Sequence, residues 1–586
     1  MCFLSNKVWV QTLLVVTICI RVGEMCGIWA LFGVSTESIS YTDSTFAKIR
    51  HRGPDAWKIQ YDNKVKCACL GFVRLTIIDN VYGMQPMTLH DYPHLTLLCN
   101  GELYNYRRLE EQYKLKYETR CDVECIIHLL ATRGVEFCVQ HLDGVFAFVL
   151  VDSKAQRVYV GRDPFGVRPL FRLSSDVGIV GFSSEAKGLM DLSSKMNGGR
   201  WKVEQFPPGH FAEYQLNKDG TATLLREQRY YTIGTPPAFQ TLVPYSELNE
   251  VDTHANIRKL LTSAVQKRLM AERRIGCFLS GGLDSSLVSA LLVKLAKEAN
   301  IPYKIQSFAI GMGESPDILA ARRVAQHIGS EHHEVSFSPE DVSQVLDDVI
   351  VSLETADITT VRASVGMFLI SRYVKTHTNT TVLFSGEGAD ELAQGYIYFR
   401  DAPNSAEAHQ ESLRLLGDIH KYDGLRADRT TAAHSLELRV PFLDLQWTQY
   451  YLSLPAELRQ PQMGVEKHLL RSAFNNTGLL PDNILWRHKE AFSDGVASIK
   501  KSLFQVIQDI VEDKVSDEAL KQAATRFPHC TPTTKEAFYY REIFEKHYGG
   551  QAEWLMPYFW MPKWIDVTDP SARFIKHYAA GSEDQA

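Results

Sequence analysis

Ser280-Gly281-Gly282-Leu283-Asp284-Ser285-Ser286 stands between a short apolar run, Ile275-Gly276-Cys277-Phe278-Leu279, and a segment in which Leu287, Leu291, Leu292 and Leu295 recur at helical spacing. The apolar run suits a buried strand and the leucine pattern a helix, so the seven residues read as a strand–loop–helix junction. A small-residue turn at a helix start gathers unpaired backbone N–H groups and the positive end of the helix dipole, a combination that binds phosphate.

The common nucleotide loop ends in Gly-Lys-Ser/Thr, and its lysine neutralises phosphate. Here Asp284 occupies the turn instead. An acid beside phosphates makes chemical sense when it carries a cation, most simply Mg²⁺. Taken alone, the stretch is also compatible with a solvated turn. In its strand–helix frame it resembles the Ser-Gly-Gly-x-Asp-Ser loop of the ATP pyrophosphatases, which cleave ATP between the α- and β-phosphates and adenylate a carboxylate or carbonyl oxygen.

Downstream, strand-like 304–310, helix-like 317–328 and strand-like 333–337 continue a βαβ alternation, which argues a parallel sheet with helices on both faces. Ligands of such sheets bind beyond the strand carboxyl ends. Phe278 and Ile310 are therefore placed to flank a base, although either also suits plain core. The strand-like run Thr381-Val382-Leu383-Phe384 leads into Ser385-Gly386-Glu387-Gly388-Ala389-Asp390-Glu391, an acidic loop expected at the same sheet edge. Asp390 is then placed to share Mg²⁺ with Asp284, leaving Glu387 for proton transfer. Lys467 and Lys489 are candidates to meet the charge that builds on phosphoryl oxygens during adenylyl transfer. An isolated lysine is more commonly a solvated surface charge.

At the other end, Met25-Cys26-Gly27-Ile28-Trp29 reads as a second protein start. Initiation at Met25 and loss of that residue would leave Cys26 with a free α-amine of pKa ~7.7–8.0, a base for its own thiol. The bland alternative is a buried small hydrophobe. Arg50-His51-Arg52-Gly53-Pro54-Asp55, Arg74, Cys99-Asn100-Gly101-Glu102 and Asp122 follow. Thiolate attack on a carboxamide needs an oxyanion hole, which Asn100 and the Gly101 N–H supply in principle. A free amino acid needs a cation for its carboxylate and acids for its ammonium, roles open to Arg74 and to Glu102 and Asp122. Individually these are ordinary surface charges, and Asn100-Gly101 also suits a hairpin turn. Together they resemble the glutaminase domain of class II amidotransferases. The run 142–150 reads as a strand buried on both faces.

A chain of 586 residues needs two or more domains, and 45% hydrophobic with 23% charged residues is a globular composition. Net charge −6 without a long basic run gives no electrostatic case for nucleic acid. Eleven cysteines without paired knuckles suit a reducing compartment and no zinc site. Val8 to Ile20 is almost wholly apolar between Lys7 and Arg21. It is shorter than the ~20 residues of a comfortable membrane span, and composition leaves a signal or anchor role for residues 1–24 open.

Joined in one chain, these motifs resemble the glutamine-dependent asparagine synthetases, most closely the animal ones. The resemblance implies an α/β and α+β two-domain protein. Its parts are an N-terminal-nucleophile αββα glutaminase sandwich (26–230), a linker (231–251), a doubly wound parallel-sheet ATP pyrophosphatase domain (252–565) and a fraying tail (566–586). Residues 1–25 form an extension expected to be absent from the active form.

The implied reaction makes asparagine from aspartate, ATP and glutamine through a β-aspartyl-AMP intermediate and channelled ammonia. Cys26 is the implied nucleophile; Asn100 and Gly101 form the oxyanion hole. Arg74, Ile77, Ile78, Asn100, Glu102 and Asp122 hold glutamine. Phe278, Ser280, Gly281, Gly282, Asp284, Ser285, Ile310, Ser385 and Gly386 hold ATP, and Glu387 takes a proton from attacking ammonia. Thr359, Thr360 and Arg362 are assigned to aspartate, and Asp284 and Asp390 to Mg²⁺. A cytoplasmic homodimer with no membrane contact in the active form is also implied. The rivals are a β-lactam synthetase, which shares both domains but lacks the cysteine, and a catalytically impaired nucleotide-binding form that retains the extension.

Overall fold

The computed structural model describes residues 26–34, 45–53, 55–61, 64–78, 83–192, 199–239, 249–488, 496, 502–567 and 569–570. The extension 1–25, residues 240–248 of the linker, Lys489 and most of the tail lie outside them.

Eleven strands build the N-terminal part: β1 Gly27–Phe32, β2 Ala56–Tyr61, β3 Ala68–Arg74, β4 Leu95–Leu103, β5 Gly144–Asp152, β6 Arg157–Arg162, β7 Phe171–Ser175, β8 Val180–Ser183, β9 Trp201–Gln205, β10 His210–Leu216 and β11 Ala222–Arg229. They form two antiparallel sheets, of order β2-β3-β1-β8-β7-β9 and β11-β10-β6-β5-β4. Alternation along the strands sends Ile28, Ala30, Phe32, Leu70 and Phe72 of the first sheet against Leu98, Val149, Val151, Val160 and Ala212 of the second. That shared layer is the sandwich core. The outer face of the second sheet is covered by helices Glu124–Arg133 and Val135–His141 through Ile126, Ile127, Leu129 and Val139. The outer face of the first packs Trp29, Leu31 and Phe171 into the apolar core of the C-terminal part. Strand β5, apolar from Val145 to Val151 and flanked by β6 and β4, is buried on both faces over that run. Asn100-Gly101 is no hairpin turn; it lies inside β4, with Gly101 opposite Phe146 on β5.

The C-terminal part is organised on β12 Arg274–Phe278, β13 Gln306–Gly311, β14 Glu331–Ser336, β15 Thr380–Phe384 and β16 Glu437–Arg439. Their order is β14-β13-β12-β15-β16, with every neighbouring pair parallel. The chain runs outward from β12 through helices Leu283–Glu298 and Pro316–Ile328 to β14. It then returns through Pro339–Leu353 and Ile358–His377 to β15 on the other side of β12. Right-handed crossovers in opposite senses place the two helix pairs on opposite faces and leave a switch point between β12 and β15. Among the described residues no helix is long and apolar enough to cross a membrane, and the described cysteines are all free thiols.

Candidate functional site

The loop after β12 turns sharply. Gly281 has φ +74°, and a Cβ there would meet Ala320 Cβ and Ala321 N at 2.5 Å, so glycine is required by both conformation and space. Ser285 Oγ braces the loop, accepting from Ser280 N at 3.2 Å and lying 3.0 Å from Ser280 Oγ. Helix Leu283–Glu298 then starts with Gly282 as its N-cap and Asp284 in the first turn. The loop after β15 approaches so closely that a Cβ on Gly386 would sit 2.8 Å from Asp284 Cβ. The two loops flank the switch point and open into one cavity of about 280 Å³.

Of the residues assigned from the sequence, Phe278, Ser280, Gly282, Asp284, Ser285, Ile310, Thr359, Thr360, Arg362, Ser385, Gly386, Glu387, Asp390 and Lys467 all line this cavity. Gly281 does not line it; it shapes the turn. Lys467, 1% exposed, ion-pairs with both Asp284 and Asp390. The Oδ1 of Asp284 is buried without a hydrogen-bond partner.

Two assignments look different in three dimensions. Arg362 forms paired hydrogen bonds with Glu536 (2.6 and 2.8 Å) and with Asp569 (both 2.9 Å), so its charge is already matched. The tail is therefore tied down at Asp569, where fraying was expected. Glu387 does not stand alone but accepts from Arg426 Nη2 at 2.8 Å. Arg426 also binds Asp423 at 2.7 Å, and Tyr396 OH reaches both Asp423 and Glu391 at 2.8 Å. All four line the cavity. Arg426, Asp423 and Tyr396 escaped sequence reasoning, and Glu391 was read only as part of the acidic loop; the fold alone brings Arg426 to Glu387, 39 positions away. Thr360 Oγ1 is spent on Asp357 at 2.8 Å, whereas Thr359 Oγ1 is buried without a partner.

The second constellation lies in the sandwich. Gly27 pairs with Val73, which carries Cys26 to the end of β3 beside Arg74 and Leu75. Cys26 Sγ donates to Leu75 O at 3.2 Å, and Leu75 N donates back to the sulfur at 3.3 Å. Burial pushes the thiol up to about 12. Asn100 is 3% exposed, and its Nδ2 has no partner. Asp122 Oδ2 accepts from Leu103 N at 2.6 Å, and burial raises its carboxyl to about 7.

Glu102 binds Arg168 and lies beside Glu437 of β16. Burial alone would raise Glu102, but the Arg168 charge, a hydrogen bond with Glu437 and the Arg439 charge together outweigh it and hold the carboxyl at about 2. Burial and the neighbouring Glu102 charge push Glu437 to about 8. The Ile77 carbonyl accepts from Glu272 N at 2.9 Å. The glutaminase-like cluster thus touches the C-terminal part directly.

Two family models match the chain in the same arrangement: a glutamine amidotransferase domain over 25–215, and asparagine synthase over 256–415 and 400–566. A glutamine-hydrolysing asparagine synthetase of Gallus gallus is 52% identical over 564 residues, covering 96% of this chain and all of its own length (100%). That of Homo sapiens is 52% identical over 560 residues, covering 94% and 99%. The chain belongs to the glutamine-hydrolysing asparagine synthetases. Membership matches the order of the two parts: an amidotransferase model over the sandwich, which holds the unpartnered Asn100 Nδ2, and an asparagine synthase model over the parallel sheet, which holds the Lys467-bridged carboxylates.

Proposed function

We propose that the protein converts L-aspartate, ATP, L-glutamine and water to L-asparagine, AMP, diphosphate and L-glutamate. The glutaminase unit would span 26–230 and the synthetase unit 252–565. The observation that carries the reading is the single cavity into which both loops open. Its floor offers helix-terminal N–H groups, its walls Lys467, Glu387 and Thr359.

In the sandwich, the Cys26 thiolate attacks the glutamine carboxamide carbon. The Asn100 amide and Gly101 N–H meet the developing oxyanion; ammonia leaves with the proton taken from the thiol as the thioester forms, and water then hydrolyses the thioester, releasing glutamate and the free thiol. Arg74, the Ile77 and Ile78 backbone, Glu102 and Asp122 hold the amino acid. A thiol pushed to about 12 needs a base close by. In a chain continuing through Met25, the Cys26 nitrogen is an amide and cannot serve. This supports an active form that starts at Cys26.

In the cavity, Phe278, Ile310, Ser385 and Gly386 flank ATP, and the 280–286 loop holds its phosphates. The β-carboxylate of aspartate attacks the α-phosphorus, diphosphate leaves, and Lys467 meets the charge; Lys489 is assigned the same duty. Ammonia then attacks the acyl carbon, Glu387 accepts its proton, and AMP departs. Thr359, Thr360 and Arg362 are assigned to aspartate, Arg362 by shaping the wall through its paired acids. The unpartnered Asp284 Oδ1 and the Asp390 carboxylate are hard oxygen donors that suit Mg²⁺, a cation that typically takes one or two carboxylates plus substrate phosphates. When bound, it would neutralise phosphate charge. Ammonia is protonated in neutral water, so passage through the protein rather than solvent keeps it nucleophilic. The reading also takes the enzyme to be a cytoplasmic homodimer, on the strength of the resemblance.

The test is product analysis with aspartate, glutamine and ATP, alongside the intact mass of the native protein. Stoichiometric AMP, asparagine and glutamate from a chain starting at Cys26 are expected. ADP in place of AMP, or no asparagine, refutes the reading.

A further inference from the structure

Helix Asp423–Ala432 is only ten residues long, yet it touches both reaction centres. Its first turns face the ligase cavity, where Arg426 holds Glu387 and Asp423. Two residues on, Asp428 points elsewhere, because successive helical residues turn by ~100° and residues two apart lie on nearly opposite sides. Asp428 receives the fork of Arg52 from the sandwich, Nη2 to Oδ1 at 2.9 Å and Nη1 to Oδ2 at 2.8 Å. The remaining nitrogen of that guanidinium, Nε, donates to the backbone carbonyl of Cys26 at 3.1 Å.

Both partners are buried, Arg52 at 0% and Asp428 at 4% exposure. Burial alone would raise the Asp428 carboxyl, but the charge and hydrogen bonds of Arg52, with Arg429, together outweigh it and hold the carboxyl below its usual range. A buried bidentate pair has little orientational freedom. The next residue, Arg429, binds Glu354 at 2.9 Å, and Glu354 in turn accepts the N–H groups of Ala186 and Lys187 at 2.9 and 2.8 Å. The sandwich is thus gripped by one face of a helix whose other face lines the ligase cavity. Neither Asp428 nor Arg52 has a part in the chemistry of either half-reaction.

We propose that Asp428 is a positioning residue that couples glutamine hydrolysis to occupancy of the ligase cavity. Substrate that redirects Arg426 away from Glu387 moves the helix. Asp428 carries that movement through Arg52 to the main chain of Cys26, so the nucleophile is best placed only when an acyl acceptor for ammonia is forming. The inference rests on the proposed function.

The experiment measures glutamate release by the native protein with and without ATP plus aspartate, together with ammonia-dependent asparagine synthesis. Wild-type protein is expected to show stimulation of about five-fold or more, the lower end of ordinary coupling between sites. Asp428→Asn, which cannot match both N–H groups of the fork, is expected to lose that stimulation while keeping ammonia-dependent synthesis. Asp428→Glu should restore part of it. Arg52→Lys, which keeps the charge but loses the fork, should behave like Asp428→Asn and serves if that variant does not fold.

Undiminished stimulation in Asp428→Asn or Arg52→Lys overturns the proposal, as does an unstimulated wild-type enzyme. Parallel loss of both activities with a fall in thermal stability also overturns it, since the pair would then merely join the two parts. Failure of the functional reading is separate: it appears as wild-type protein making no AMP and no asparagine.

Discussion

Replacing Asn100 by leucine should cripple glutaminase activity without destabilising the protein. The side chain is 3% exposed, and its Nδ2 donor has no partner in the free protein. A buried donor left unsatisfied costs about 1–3 kcal/mol, so Asn100 is retained against a stability penalty. Leucine has a similar shape and removes that penalty. The melting temperature should hold or rise by a few degrees, given about 2–4 °C per kcal/mol for a unit of this size. Loss of one oxyanion donor typically removes about 2.7–4 kcal/mol of transition-state stabilisation, or 10²–10³ in kcat. Glutamate release should fall by about that factor. Ammonia-dependent asparagine synthesis, which bypasses this step, serves as the internal control and should stay near wild type. A melting temperature that drops clearly, or glutaminase activity that declines less than about tenfold, would show that Asn100 is a structural residue and that the oxyanion assignment is mistaken.

Two further outcomes follow from the same geometry. Asp122, raised to about 7 by burial, is neutral below that pH and anionic above it; only the anion pairs with a substrate ammonium. KM for glutamine should therefore rise about tenfold from pH 8 to pH 6, and Asp122→Asn should flatten the profile; a pH-independent wild-type KM contradicts the assignment. Lys467→Met leaves Asp284 and Asp390 facing each other without their shared cation. Breaking such a buried pair costs about 3–5 kcal/mol, and aspartate-dependent ATP–pyrophosphate exchange should fall by about 10²-fold or more while glutamine hydrolysis persists. Exchange at the wild-type rate would remove Lys467 from the adenylation step.

What the sequence made legible was whatever depends on near neighbours. The strand expected at 275–279 is β12 at Arg274–Phe278, and the helix expected from Leu287, Leu291, Leu292 and Leu295 is Leu283–Glu298, because apolar run length and leucine spacing are local signals. The two ligase loops were readable for the same reason: each is a strand followed at once by small and acidic residues. Pairings between distant residues were not. Arg362 looked like a free cation for substrate, but its partner Glu536 lies 174 positions away. Glu387 looked like an unencumbered base, with nothing nearby in the chain to announce Arg426. Asn100-Gly101 fits a turn by composition, and only pairing with β5 decides for a strand. A sequence shows which charges are present, while the fold decides which of them remain available.

The seam between the two parts bears on why both sites work in one chain. An apolar interface of the same size would be at least as stable, since burying ion pairs gains little net energy. This one adds to the apolar packing of Trp29, Leu31 and Phe171 the polar contacts Arg52–Asp428, Arg429–Glu185, Arg168–Glu437 and Lys267–Asp143. A guanidinium locked onto a carboxylate by two hydrogen bonds, as in Arg52–Asp428, fixes orientation as well as distance. Glu102 makes the point most sharply. It is assigned to the substrate ammonium, yet it also binds Arg168, and Arg168 lies 3.3 Å from Glu437 of the ligase sheet. Under the proposed assignment of Glu102, a displacement of that sheet would change the electrostatics at the glutamine ammonium. On that reading, substitutions at the seam should alter KM for glutamine before they alter stability.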